Sequence, residues 1–206
     1  MYLLTLPFQL LTTGSFLEQG STALVVLTAI HAALVAALFW ALLANAIVAM
    51  QIVEDGTPSS LIPFYIFVIA FICGTTYISL DVALGITQTL GGPSKPVESI
   101  RSIPLFVLTS IWPAAATILY LGIMTYVVLN ILQETRPMFF YLLSMALFVL
   151  SQLDFFLLSR VICKGSSYKI DGSFVATILE TAAVGVLYLA WKSITESSWE
   201  EDGYYN

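Results

Sequence analysis

Four ionisable side chains lie inside long apolar stretches of the chain, where any chemistry within a membrane would take place. They are His31, Asp81, Asp154 and Glu180. A charge at the centre of a membrane costs roughly 2.5 to 3.5 kcal/mol, so residues of this kind usually mark a proton or ion pathway or a contact. Because successive spans alternate in direction, the positions of the four residues predict that they share one half of the bilayer. The functional interpretation is a relay for protons or a ligand.

A structural interpretation of the same four residues stays open. Asp81 and Asp154 lie near the predicted ends of their spans, where a carboxylate can reach interfacial water. Glu180 lies deeper and could be protonated or hydrogen-bonded between helices, in packing or against another protein. His31, taken alone, suits an interhelical hydrogen bond.

The elements that position these residues follow from the composition. Apolar residues make up 59% of the 206 residues and charged residues only 10%, whereas soluble domains carry roughly 25% charged residues. The net charge of −6 argues against a nucleic-acid partner, because phosphate binding needs clustered cations. With Cys73 and Cys163 far apart and a single histidine, we predict no metal site and no cofactor.

Five charge-poor windows are long enough to cross a hydrocarbon core of roughly 30 Å as helices. They predict an all-α integral membrane protein, a polytopic helical bundle with about five transmembrane helices in a single transmembrane domain, 1–206. The predicted spans are about 22–53, 58–86, 103–132, 138–160 and 173–192. Short links with turn residues join them. Residues 193–206 predict an acidic disordered tail.

Residues 1–21 begin with an apolar stretch that is too short to span. It lacks a basic region and a small-residue cleavage site, so it is a poor signal peptide. We interpret 1–21 as an N-terminal remnant, the end of a hydrophobic segment whose beginning is missing.

Small residues recur every four positions in the first span. The series is Ala29, Ala33, Ala37 and Ala41, continued by Asn45 and Ala49, and Ala32, Ala36 and Ala44 widen the face. Small residues at this spacing let helices approach closely, and a buried Asn can bridge them. We expect this face to pack inside the protein, with a contact to a partner as the alternative.

Motifs of catalysis are missing from the sequence. It has no Gly-x-Ser-x-Gly elbow and no Walker loop, so we predict no catalytic residues and no enzyme activity. A small-solute or proton-coupled transporter that uses the intramembrane acids is the alternative function, but such a protein should show internal repeats, and we find no convincing one.

Several short strings together resemble the fungal chitin synthase export chaperones. They are Val53-Glu54-Asp55-Gly56-Thr57, Ser151-Gln152, Ile162-Cys163-Lys164-Gly165, Ile170-Asp171-Gly172-Ser173-Phe174 and Tyr188-Leu189-Ala190-Trp191-Lys192. The resemblance covers roughly residues 20 to 200, and family members usually begin with further spans. It marks Glu54, Asp55, Gly56, Thr57, Cys163, Asp171 and Gly172 as family-motif residues.

The resemblance implies a multi-pass protein of the endoplasmic reticulum membrane that binds a chitin synthase and allows its folding and export to the cell surface, which supports chitin synthesis in the cell wall. The partners it implies are the synthase and the lipid bilayer. Glu200 and Asp202 form an acidic pattern that suits an export signal read by vesicle coat machinery; plain solvation of the terminus is the alternative.

The Lys and Arg count and the family resemblance predict opposite orientations of the spans. Five Lys and Arg flank one set of span ends and two flank the other, and the positive-inside rule would place the tail outside the cytosol. The resemblance implies a cytosolic C-terminus and a lumenal Cys163. We adopt the orientation that the family implies.

Overall fold

The computed structural model describes residues 1–14, 16–91, 102–165 and 172–202, and in these ranges the chain consists of helices and the turns that join them. Five helices are long and apolar enough to cross a membrane: Thr22–Ala49, Pro58–Leu84, Ile103–Ile131, Arg136–Leu158 and Gly172–Thr195. The predicted all-α class with five spans is therefore confirmed. Turn chemistry sets some of the ends: Pro58 opens the second span, and Gly85, with φ of 64°, closes it.

The helical elements, in chain order, are α1 (Tyr2–Thr13), α2 (Thr22–Ala49), α3 (Pro58–Leu84), α4 (Gln88–Gly91), α5 (Ile103–Phe106), α6 (Trp112–Tyr126), α7 (Arg136–Leu153), α8 (Ser159–Gly165) and α9 (Gly172–Asp202). The third and fourth spans also contain π-helical segments, Val107–Ile111, Val127–Ile131 and Asp154–Leu158. A π-turn holds an extra residue and so changes which side chains face a neighbouring helix.

The chain divides into two compact units, Met1–Ile123 and Met124–Asn206, where the sequence predicted one transmembrane domain. In the first unit, α2 packs against α1 and along α3. In the second unit, α7 packs along α9.

The buried face of α2 is made mainly of small residues, as predicted, but the predicted four-residue series is not buried from Ala41 onward. The buried residues are Ala29, Ala33, Ala36, Ala37, Leu43 and Ala46. These positions follow the 3.6-residue turn, whereas a strict four-residue repeat rotates about 40° at each step. Asn45 has therefore turned to the exposed side, and the expectation of a buried, bridging Asn45 is wrong.

Both ends of the chain are more helical than the sequence indicated. The apolar start forms α1, which packs against α2. At the other end, α9 continues to Asp202, past the predicted end of the span at 192. Residues 193–202 contain no Pro or Gly that would stop the helix before Gly203.

Candidate functional site

Small residues recur every seven positions among the buried residues of α7 and α9, two helices that pack along each other. On α7 the buried series is Pro137, Ser144 and Ser151. On α9 it is Ala176, Ala183 and Ala190. A seven-residue repeat keeps one face of a helix towards its neighbour, and small side chains let the two backbones approach. The sequence contained this signal in both helices, but our sequence analysis did not use it.

Two polar contacts join the same helices. The hydroxyl of Ser144 donates to the carbonyl oxygen of Ala183 at 2.8 Å, a buried contact. The amide Nε2 of Gln152 donates to the carboxyl Oε1 of Glu180 at 3.2 Å. The acid that we singled out as the deepest therefore lies in a helix-to-helix hydrogen bond, which fits its structural interpretation.

Gln152 is held in place from its own helix. Its Nε2 lies 3.3 Å from Ser151 Oγ, and the Ser151 hydroxyl donates to the carbonyl of Phe148 at 2.7 Å. Ser151 is fully buried. The Ser151-Gln152 string thus supplies one residue that packs and one that reaches across to Glu180.

Asp154 lies at the start of the third π-helical segment and is 6% exposed. The beginning of α9 passes close to it: a Cβ atom built on Gly172 would lie 2.8 Å from the Asp154 carbonyl oxygen and 2.6 Å from Ser159 Cα. Only a residue without a side chain fits there, since real Cβ atoms do not approach so closely. This close approach explains why the family-motif position 172 is a glycine.

The structure describes only some of the remaining candidate residues near the end of the chain. Cys163 is half-buried on α8. Asp171 lies outside the described residues. So do Lys95, Arg101 and Lys169, three of the five Lys and Arg residues on one side in the orientation count. The backbone of Glu200 and Asp202 belongs to α9, and their side chains lie outside the described part of the chain.

In the first unit, Asp81 is fully buried at the end of α3. Its two carboxyl oxygens accept hydrogen bonds from Thr87, one from the backbone N–H at 2.6 Å and one from the hydroxyl at 2.8 Å. The carboxylate closes the turn after α3. This is a structural role, but it differs from the interpretation that Asp81 reaches interfacial water, because the side chain is fully buried.

His31 is half-buried on α2. It lies two positions from both Ala29 and Ala33, so helical geometry turns it away from that alanine face. The polar layer of four residues stays a prediction: His31 and Asp81 belong to the first unit, Asp154 and Glu180 to the second.

The Glu54-Asp55-Gly56-Thr57 string forms the turn between α2 and α3. Gly56 has φ of 73°, a conformation that other residues adopt at a cost. The Thr57 hydroxyl donates to the Glu54 carbonyl at 2.8 Å, and the Thr57 carbonyl accepts from Leu61 N at 3.0 Å to start α3. Gly56 and Thr57 therefore shape the turn, and they leave the Glu54 and Asp55 side chains exposed.

An aromatic cluster that the sequence analysis missed fixes the first unit. The Trp112 indole donates to the Ala36 carbonyl at 3.0 Å and its ring stacks on Phe71 with centroids 4.8 Å apart. The Trp40 indole donates to the Phe64 carbonyl at 3.2 Å. Each tryptophan thus ties its helix to the backbone of another helix. Phe67 and Phe71, one turn apart on α3, were the available signal.

Nothing in the described ranges gathers three or more His, Cys, Asp or Glu side chains as a metal site would require. Asp81 and Glu180 are instead engaged in hydrogen bonds that hold a turn and a helix pair. Neither of these hydrogen-bonded arrangements requires proton transfer.

Five membrane-length helices, paired through small residues and a few interhelical hydrogen bonds, define a polytopic helical membrane protein. The chain belongs to the chitin synthase export chaperone family, whose model it matches over residues 1–203. It is 32% identical to a chitin synthase export chaperone of Neurospora crassa over 84% of this chain and 46% of the relative.

Further relatives carry the same description. The chain is 29% identical to a chitin synthase export chaperone of Chaetomium globosum, over 97% of this chain and 58% of the relative. It is 26% identical to one of Cryptococcus neoformans, over 97% and 54%. The chain thus spans about half the length of the curated relatives it matches. No solved structure matches it.

Proposed function

We propose that this protein is a membrane chaperone that binds a chitin synthase in the endoplasmic reticulum and promotes its folding and export to the cell surface. The observation that carries the proposal is the family match over nearly the whole chain, together with relatives described as chitin synthase export chaperones. The role is one of binding, without catalysis.

The helix faces give this role a physical basis. Large apolar side chains are exposed along the spans, among them Ile66, Ile69, Tyr77, Ile118, Phe139 and Ile178. In a membrane such faces meet lipid or the spans of another protein. Since helices in lipid associate by packing and hydrogen bonding rather than by a hydrophobic driving force, a client with complementary spans would be held by the same rules as α7 and α9.

The proposal includes an orientation and a route of export. The C-terminus lies in the cytosol, and the loop with Lys164 lies in the lumen. Glu200 and Asp202 then present acidic groups to vesicle coat machinery. Tyr188 and Trp191, both exposed near the end of the last span, suit the membrane interface, where amphipathic rings are enriched.

Co-purification from native membranes tests the proposal. The tagged chain is expressed in fungal cells that lack their own chitin synthase export chaperone, solubilised in mild detergent and captured. We expect a chitin synthase in the captured fraction and chitin synthase at the cell surface. An unrelated five-span protein with the same tag is the control. Capture of no synthase beyond that control, with the synthase still retained in the cell, would contradict the proposal.

A further inference from the structure

The start of α7 and the end of the last span lie side by side in the second unit. The Ser144 hydroxyl bonds to the Ala183 carbonyl, which places these two residues at one level. From that level the helices run antiparallel, because Gln152, later on α7, bonds to Glu180, earlier on α9. Residues that precede Ser144 and residues that follow Ala183 therefore approach the same surface of the membrane.

Two cations lie at this end of the helix pair. Pro137 and Ala190, both buried, lie seven residues, or about 10 Å, from the level of the hydroxyl contact. Arg136 comes one residue further out on α7 and Lys192 two residues further out on α9, so the helical rise places them within about 1.5 Å of one depth. Both side chains are exposed. Axes of packed helices lie about 8 to 10 Å apart, and the long stems of Arg and Lys let both cationic groups reach one small area.

The depth of these cations in the membrane follows from the span ends and from two aromatic rings. Arg136 begins the fourth span, and Lys192 lies just before Thr195, where the fifth span ends. The rings of Tyr188 and Trp191 are 58% and 57% exposed, with centroids 5.8 Å apart. Amphipathic rings of this kind are enriched at the level of the lipid headgroups. Arg136 and Lys192 therefore lie at the depth of the lipid phosphates.

The charges at this surface are arranged in two layers. Among the seven Lys and Arg of the sequence, Arg136 and Lys192 are the two that flank this set of span ends. The acids nearest to them along the chain, Glu134 and Glu196, lie outside the two spans and so further from the hydrocarbon. The cationic layer is complementary to an anionic group that is held at the membrane surface.

We propose that Arg136 and Lys192 bind the headgroup of an anionic phospholipid at this end of the α7–α9 pair. A guanidinium group can bind phosphate through two parallel hydrogen bonds, and an ammonium group binds it as a point charge. Exposed Leu189 continues the surface into the hydrocarbon, where an acyl chain can lie. A lipid therefore suits this surface better than a soluble anion, which would use the cations alone.

Binding of defined lipids to the full chain in mild detergent tests the proposal, with native mass spectrometry as the measurement. Each cation near an anionic lipid contributes about a five-fold gain in binding. We therefore expect phosphatidylserine to bind roughly 20- to 30-fold more tightly than phosphatidylcholine. Inorganic phosphate should not displace the bound lipid. Equal binding of the two lipids, or displacement by inorganic phosphate, would overturn the proposal.

Charge variants assign the preference to these two residues. Arg136→Gln with Lys192→Gln should reduce the preference to within about three-fold, whereas Arg136→Lys with Lys192→Arg keeps both charges and should keep it. Lys164→Gln is a second control, because it removes an exposed cation at the opposite end of the pair, and most of the preference should remain. A preference kept in the double Gln variant, or lost equally in Lys164→Gln, would contradict the assignment. Should the double Gln variant fail to fold, the comparison of lipids on the natural chain still decides.

Discussion

The amide of Gln152 reaches the carboxyl group of Glu180 across two packed helices, with 3.2 Å between Nε2 and Oε1. This contact joins the Ser151-Gln152 string of the penultimate span to Glu180 in the last span. The contact does not require a charge on Glu180, because a neutral oxygen at the same place can also accept from the Gln152 amide.

The first prediction concerns that acceptor. Glu180→Gln keeps a carbonyl oxygen for Gln152 and should change stability and client capture little. Glu180→Leu leaves the Gln152 amide without this partner and should cost about 1 kcal/mol, a fall in Tm of roughly 2 to 4 °C, with weaker capture of the synthase. Both quantities can be measured on one preparation in mild detergent.

The double variant Gln152→Leu with Glu180→Leu is the control, because removal of both partners should recover part of the loss. Equal and complete loss of function in Glu180→Gln and Glu180→Leu would contradict a packing role. It would favour a titrating relay instead.

The second prediction is that Gly172→Ala is strongly destabilising. The new Cβ would lie within 2.8 Å of the Asp154 carbonyl oxygen and nearer still to Ser159, so the backbones would have to part at a cost of about 1 to 3 kcal/mol. Gly185→Ala on the same helix is the matched control, because nothing lies within 4 Å of its Cβ position. There, helix propensity should make alanine neutral or favourable. Thermal unfolding that ranks the two variants the other way round would contradict the close approach.

The third prediction divides the turn between α2 and α3 into two roles. Gly56→Ala should cost about 1 kcal/mol because φ of 73° strains a residue with a side chain. Glu54→Gln with Asp55→Asn should leave Tm unchanged, since both side chains are exposed. If those carboxylates contact the client, the same double variant should reduce synthase capture. A loss of stability in the double variant would show that the acids hold the turn.

The fourth prediction concerns orientation. Glycosylation acceptors inserted between Lys164 and Lys169 should be modified, and acceptors inserted after Trp199 should not. The reverse pattern would show that the Lys and Arg count governs insertion and that the C-terminus is lumenal.

The fifth prediction concerns the acidic end. Glu200→Ala with Asp202→Ala should leave insertion and synthase binding intact, because both residues follow Thr195, where the last membrane span ends. On the export interpretation, the chaperone and its client accumulate in the endoplasmic reticulum. Imaging of a tagged chitin synthase measures this accumulation. Unchanged delivery of both proteins to the surface would show that the acidic residues only keep the terminus solvated.

Much of the fold could be predicted because length and charge-free composition alone fix membrane spans. The finer arrangement could not, since it depends on which face of a helix meets which neighbour. Asn45 illustrates this: it continues a four-residue series of small residues, yet the helical turn carries it to the exposed side. The pairing of Gln152 with Glu180 likewise depends on how α7 and α9 align, which no spacing within either helix reveals.

The hydroxyls of Thr75 and Ser79 were invisible to sequence reasoning for a further reason. The hydroxyl of a Thr or Ser in a helix normally donates a hydrogen bond to a carbonyl of the same helix. The residue type alone therefore does not indicate a missing partner. Burial of Thr75 and Ser79 without a hydrogen-bond partner makes them unusual, and this is seen only in the structure.

The positions of the tryptophans allow their fluorescence to report on the first unit separately. Of its four tryptophans, Trp40 and Trp112 belong to the first unit and lie close to Phe71, while Trp191 and Trp199 belong to the second. With Trp191 and Trp199 replaced by Phe, the tryptophan fluorescence would come from the first unit alone. The emission of its two half-buried indoles would then report, without any attached dye, when α2, α3 and α6 separate in detergent or on engagement of a client.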